Sequence, residues 1–226
     1  MQPTAPLRLQ TARLVLRELR LDDWTFARAL DTDPEIVRYQ TNDVLDEAGT
    51  KQYLERSINA AAERPRTTFD LAITLPADDR YLGRAGFKIE RPEHREAQVW
   101  FQLRRDQWGH GYASEALRAV LALAFDHARV HRVYGDCDPR NLASARVMEK
   151  AGMIREAHLR ENWWLKGEWC GSFIYAVLED EWRASRSTSE INTAPRMKHP
   201  PTSSADVGTP SPTTSAKSNV KTGSSE

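Results

Sequence analysis

Two glycines one residue apart, Gly109 and Gly111, follow an alternating stretch and open an amphipathic one. Glycine reaches φ > 0 at no steric cost and has no Cβ, so neighbouring backbone N–H groups can approach a ligand closely. The helix expected to follow adds the unpaired N–H groups of its first turn and the positive end of its macrodipole. Strand, glycine turn and helix N-terminus together bind phosphate. The chemistry implied is a backbone grip on a phosphorylated cofactor. A bare Gly-x-Gly also serves helix entry alone, so the surrounding spacing has to decide.

Two familiar phosphate loops do not fit. A P-loop needs Lys-Ser/Thr after its second glycine, where this chain has Tyr112-Ala113. The dinucleotide fingerprint needs a third glycine where Ser114 stands, and an early βαβ unit. The segment Trp108-x-x-Gly111-x-Ala113 instead resembles the pyrophosphate loop of the GNAT superfamily of acetyl-CoA-dependent N-acetyltransferases, Gln/Arg-x-x-Gly-x-Gly/Ala. Trp108 departs from the first position; Trp-Gly-x-Gly-Tyr-Ala is the form of a branch resembling the ribosomal-protein N-terminal (RimJ/RimL-type) acetyltransferases. Four further segments carry the resemblance: Thr11-Ala12-Arg13-Leu14-Val15-Leu16-Arg17 before Asp22-Asp23-Trp24; Asn141-Leu142-Ala143-Ser144; Glu149-Lys150-Ala151-Gly152-Met153; and Gly167-Glu168-Trp169 with Ile174-Tyr175-Ala176-Val177-Leu178. It spans residues 7–182 in the family's order.

What the resemblance implies is specific. The fold would be α/β (α+β): a mixed, mostly antiparallel sheet of about six to seven strands, splayed between the fourth and fifth and flanked by helices. Acetyl-CoA would lie in that splay, its pantetheine arm bonding to the backbone of Phe101, Gln102 and Leu103. Its pyrophosphate would rest on Trp108, Gly109, His110, Gly111, Tyr112, Ala113 and Ser114. Asn141 would contact the arm, or cap the helix starting at Leu142, or do both. The reaction would be direct attack of a neutral amine on the thioester, which needs a base, a stabilised oxyanion and a protonated leaving thiolate.

The catalytic groups are less regular than the loop. The family's frequent tyrosine acid is Met148 here, which donates no proton, so Ser144 is the candidate partner of the leaving sulfur. A glutamate common on the fourth strand is Gln98. Glu96, on the same expected face, and Glu161, in the closing hairpin, are the candidate bases, with a bridging water as the alternative to both. An aspartate usual after the Gly-x-Trp turn is Gly171. These three departures leave a second class open, a non-catalytic acyl-CoA-binding sensor module. For an enzyme, the acceptor expected first is a protein N-terminal α-amine, with a small-molecule amine (antibiotic or polyamine) as the alternative. Trp163, Trp164 and Trp169 are candidates to line the acceptor cleft or to fill core.

The elements that must position these groups are legible in the pattern. Arg13 to Leu19 alternates as a strand, ended by the helix start at Asp22-Asp23. Helices are expected from Trp24 and over residues 46–63, then a hairpin of 67–75 and 81–90, then a strand of alternating Ala97, Val99, Phe101 and Leu103. Leu117, Val120, Leu121, Ala124 and Phe125 recur at helical spacing. A strand over 132–137, a helix over 142–151 closed by Gly152, and a hairpin of 154–165 and 168–178 complete the set.

Composition bounds the rest. Of 226 residues, 32 are basic and 32 acidic, so no global field favours nucleic acid or an anionic membrane. From Ser185 on, most residues are Ser, Thr, Pro or Gly and none is aromatic, whereas all seven Trp precede it. The expected organisation is therefore an acetyltransferase domain over 1–184 and a disordered tail over 185–226. Cys137 and Cys170 have no metal-ligand spacing and no metal is expected. Without a leader-like N-terminus or a long apolar run, a cytoplasmic monomer or homodimer without a membrane partner is expected.

Overall fold

A strand can be buried on both faces only if helices cover both sides of its sheet, and β3 (Thr68–Thr74) is buried almost throughout and β4 (Tyr81–Arg91) from Tyr81 to Phe87. The computed structural model describes residues 6–41 and 43–193. Those up to Asn192 belong to one compact unit. It is built on a single eight-stranded sheet, in the order β1-β2-β3-β4-β5-β6-β8-β7. The remaining strands are β1 (Arg8–Gln10), β2 (Val15–Glu18), β5 (Glu96–Leu103), β6 (Arg132–Cys137), β7 (Ile154–Leu165) and β8 (Glu168–Leu178). Every neighbouring pair is antiparallel except β5–β6, which is parallel. The mixed sheet matches the expected fold class, with one strand more. That strand, β1, is three residues long and forms only by pairing Arg8 to Gln10 with Val15 to Arg17, too short to show a period of its own.

Helices α1 (Trp24–Asp31), α2 (Pro34–Val37) and α3 (Glu47–Ala62) precede β3; α4 (Tyr112–Ala122) and α5 (Leu142–Lys150) flank β6; α6 (Glu179–Thr193) follows β8. On one face, Leu117, Val120, Leu121 and Phe125 pack on Leu14, Leu16, Leu71, Phe87 and Val133. On the other, Ala27, Leu30 and Leu54 pack on Leu19, Ala72 and Tyr81. Fully burying such side chains stabilises by about 1.5–3 kcal/mol each. The turn of α4 over Leu123–His127 is widened to a π-helical one, which keeps Phe125 inward to stack on Trp182 of α6.

Helix α6 continues through Ser185 to Thr193, beyond the boundary expected at Ala184. The rest of the expected tail, 194–226, lies outside the described residues. Among the described residues no helix is long and apolar enough to cross a membrane, and no His, Cys, Asp and Glu cluster is arranged to hold a metal.

Candidate active site

The site exists because two neighbouring strands stop pairing. β5 and β6 are in register at Glu96↔Arg132, Ala97↔Val133 and Gln98↔Tyr134, and nowhere beyond. From Val99 to Leu103 the β5 edge facing β6 has no ladder partner, although β4 pairs with its other edge throughout. Peptide groups left unpaired in this way need another partner. These are the strands whose splay was expected as fourth and fifth; β1 moves their numbers up by one.

The opening is a cleft of about 500 Å³. Val99, Trp100, Phe101 and Gln102 of β5 form one wall, and Asp136, Cys137 and Asp138 another. Asn141, Ser144 and Met148 of α5, Cys170 to Ser172 of β8, and Tyr39 to Thr41 complete it, with Trp163 and Leu165 from β7. The last contribution depends on long-range folding: at the tip of the β7–β8 hairpin, Lys166 Nζ donates to the Val37 carbonyl at 2.7 Å, drawing the hairpin across the cleft.

At the C-terminal end of β5 the chain turns through a single helical turn at Arg105–Gln107 into the glycine loop. Gly109 and Gly111 adopt φ of 80° and 77°, the left-handed region that glycine enters freely. Gly111 is the N-cap of α4, and the first bond into the helix runs from Glu115 N–H to the Gly111 carbonyl at 3.2 Å. The N–H groups of Tyr112, Ala113 and Ser114 precede that bond and have no intrahelical carbonyl to reach. Trp108 does more than occupy the first motif position: its Nε1 donates to the Leu103 carbonyl at 2.9 Å and ties the loop to β5.

Sequence reasoning missed the brace behind this loop. Glu115 accepts from the Thr11 hydroxyl (2.6 Å), the Arg13 N–H (2.8 Å) and Arg13 Nε (2.7 Å), while Arg13 Nη1 donates to the His110 carbonyl at 2.9 Å. The Arg13 guanidinium also lies over the Tyr112 ring, which stacks on His110. Desolvation pushes the Glu115 carboxyl up, but the bonds from Thr11 and Arg13 outweigh it and hold the group below its ordinary range. Thr11 and Arg13 belong to the N-terminal segment that carries the resemblance, but nothing in spacing links them to a residue a hundred positions away.

Of the remaining candidates, Phe101, Gln102, Asn141 and Ser144 come together around the cleft, while Leu103 and residues 108–114 follow along the chain and are not part of its lining. Asn141 Oδ1 accepts from the Ser144 N–H at 3.1 Å, so it caps α5 while lining the cleft. Beside Ser144, burial together with neighbouring carboxylates pushes the Cys137 thiol up to about 12. Glu96 is not brought to the cleft: it sits at the closed end of the β5–β6 ladder, paired with Arg132 (2.9 Å) and Arg91 (3.3 Å). Glu161 is not brought there either, lying exposed on an irregular stretch of β7 at φ 48°.

The three departures have structural reasons. Met148 is buried, and its sulfur lies against Gly135. A Cβ on Gly171 would meet the Leu159 carbonyl oxygen at 2.6 Å, so no larger residue fits this bulged stretch of the hairpin. Gln98 Nε2 donates to Asp136 Oδ1 at 2.9 Å across the mouth of the splay. Beneath the cleft, Asp70 accepts from Tyr53, Ser57 (2.7 Å each) and Trp100 Nε1 (3.2 Å). Burial, then the Asp70 charge, pushes the Tyr53 phenol well up, so it stays protonated as donor. Arg84, buried, bonds to Gln102 (2.7 Å) and Asp31 (2.8 Å) and lies over the Tyr53 ring.

A mixed sheet opened between parallel neighbours, followed by a glycine-capped helix, is the arrangement that the resemblance to acetyl-CoA-dependent N-acetyltransferases implied. Comparison with known proteins agrees. Residues 13–154 match the Acetyltransferase (GNAT) domain, and the chain belongs to that family. YnaD, an uncharacterised N-acetyltransferase of Bacillus subtilis, is 30% identical over 176 residues, covering 78% of this chain and 99% of YnaD. The crystal structure of a GNAT-family acetyltransferase from Bacillus anthracis aligns with TM-score 0.69 and 26% identity, over 77% of this chain and 99% of that one. Spermidine N-acetyltransferase from Vibrio cholerae, solved with CoA and spermine, shares the fold (TM-score 0.67, 19% identity, 76% and 99% covered). The protein is thus an N-acetyltransferase, and the sensor-module alternative falls away.

Proposed function

We propose that this enzyme binds acetyl-CoA in the β5–β6 opening and passes the acetyl group directly to the α-amine of a protein N-terminus. The observation that carries the cofactor reading is the unpaired β5 edge from Val99 to Leu103, ending at the glycine loop. An amide-rich pantetheine arm satisfies such an edge as an added strand does. The phosphates then rest on residues 109–114, where backbone N–H groups and the α4 dipole favour negative charge. Asn141 borders the arm, and Ser144 stands where the leaving sulfur would take its proton.

The acceptor reading rests on the rim. Trp163, Trp164 and Trp169 are 51%, 60% and 59% exposed on the β7–β8 hairpin, and Trp163 also lines the cleft. Trp164 and Trp169 meet edge to face at 5.3 Å on the same hairpin, and exposed aromatic surface beside a cleft suits docking of a polypeptide better than of a small polar amine. An α-amine, with a pKa of about 7.7–8.0, is also neutral in a useful fraction at neutral pH, whereas lysine is not. The small-molecule alternative is favoured by one observation, that a cleft of about 500 Å³ could hold such a ligand outright.

Calorimetric titration with acetyl-CoA, with melting followed in parallel, tests the first half. At about 100 times Kd, binding should stabilise by about 2.7 kcal/mol, a melting shift of roughly 5–11 °C. Turnover against short peptides with free N-termini, polyamines and aminoglycosides tests the second. Saturable peptide acetylation is expected, and activity confined to the small amines would overturn the acceptor assignment.

A further inference from the structure

Asp136 is the carboxylate that the chemistry still lacks, and no motif pointed to it. Tyr134 and Asp136 alternate along β6 with Val133, Gly135 and Cys137, which face α4 and α5. Asp136 therefore stands on the other side of the sheet, two residues beyond the last β5–β6 pair, Gln98↔Tyr134. It is solvent-accessible and lines the cleft. One of its oxygens accepts from the Gln98 side-chain amide at 2.9 Å. A carboxylate only accepts, so the amide must present its NH₂ there and its orientation is fixed. Among the described residues, the second carboxylate oxygen has no hydrogen-bond partner.

The other acidic groups near the cleft are already engaged. Asp138 gives both oxygens to Arg140, at 2.9 and 2.7 Å. Asp70 is filled by Tyr53, Ser57 and Trp100. Glu96 is held by Arg132 and Arg91 at the closed end of the ladder. Among these carboxylates, Asp136 alone combines access to the cleft with a free oxygen.

Building on the acetyl-transfer reading above, we propose that Asp136 is the general base, with Gln98 as the residue that positions it. A carboxylate on β5 would use the same opening from one side; here Gln98 occupies that place and the carboxylate stands across the gap on β6. The acceptor arrives as an ammonium ion. Asp136 takes one proton, directly or through one water, and the freed nitrogen lone pair forms the N–C bond at the thioester carbon. The C–S bond breaks, its electron pair leaves on sulfur, and the sulfur takes the Ser144 hydroxyl proton as that hydroxyl takes the nitrogen's second proton. The products are the acetylated amine and a free thiol, with the first proton released from Asp136 to solvent.

Charged and titratable groups facing this position are few. On β6 they are Tyr134, pushed up by burial first and by nearby carboxylates second, and Asp138 with its Arg140, while the adjacent Cys137 thiol lies on the opposite face. β5 contributes Glu96 with its partner Arg132, while the β8 residue opposite Asp136 is Ile174.

The test compares wild type, Asp136→Asn and Asp136→Glu by acetyl-CoA titration and by pH profiles of kcat/KM for the acceptor. Asp136→Asn should lower kcat/KM by about 100-fold or more and abolish the acidic limb, with acetyl-CoA affinity unchanged. Asp136→Glu should recover part of the rate and restore the limb. Gln98→Ala should lower kcat more than it raises KM. Full activity with an unaltered profile in Asp136→Asn would overturn the proposal. A wild type that neither binds acetyl-CoA nor acetylates any amine would overturn the functional reading beneath it instead.

Discussion

Gly111 shows how one residue's backbone geometry bears on the proposed phosphate grip. Its φ of 77° is open to glycine but strained for other residues, most of all a β-branched one. Space is not the obstacle, since a Cβ there would meet only Arg13 Nη2, at 3.5 Å. Gly111→Val should therefore fold, with a melting point lower by a few degrees, and pass about 1–3 kcal/mol of strain to the loop. Acetyl-CoA affinity should fall about tenfold or more by calorimetry, and an unchanged Kd would show that the loop does not hold the phosphates. The glycine and its position were legible in the sequence because left-handed turns restrict residue type locally. Asp136 was not, because the role proposed for it depends on Gln98, 38 positions away, across a gap between strands.

At the scale of the element, the N-terminal segment and the first turn of α4 are one unit, joined by Thr11, Arg13 and Glu115. The carboxylate also complements the positive end of the helix dipole. Glu115 titrates below its ordinary value in the folded protein. Its stabilisation is therefore complete above the unfolded carboxyl range and is lost as pH falls through the folded value. Glu115→Gln should cost about 1–2 kcal/mol at pH 7, with the partly exposed Arg13 contributing the lesser share. The difference in melting temperature between variant and wild type should narrow as pH drops below about 4. A difference independent of pH would mean that packing, not charge, makes the brace.

For the whole molecule, the question is how much chain the site requires. Trp182 of α6 is buried and stacks on Phe125 just beyond the C-terminal end of α4, so the helix after β8 braces the end of that helix opposite the glycine loop. Removing residues 194–226 should leave the melting temperature and acetyl-CoA affinity unchanged, because their Ser/Thr/Pro-rich composition offers little apolar surface to bury. Cutting at Ala184 instead should lower the melting temperature, since α6 would lose its last turns through Thr193. Equal losses from both truncations would show that the distal segment docks.

Sequence by itself determined the periods, and with them most of the elements. The strands over 132–137, 154–165 and 168–178 fall where alternation and turn residues place them, and the α4 stripe falls on the buried positions of that helix. It also determined the glycine loop, whose chemistry is backbone chemistry and local in the chain. Tertiary structure alone decided which side chains meet in the cleft. The parting of β5 and β6 after three pairs, the hairpin drawn over by Lys166, and the Arg13–Glu115 brace all join residues remote in sequence. The same is true of the carboxylates: pattern offered Glu96 and Glu161 as bases, and folding turned one into an ion pair and the other onto the surface. Local pattern is set by steric and hydrophobic period along the chain, whereas a catalytic constellation is set by distances across it.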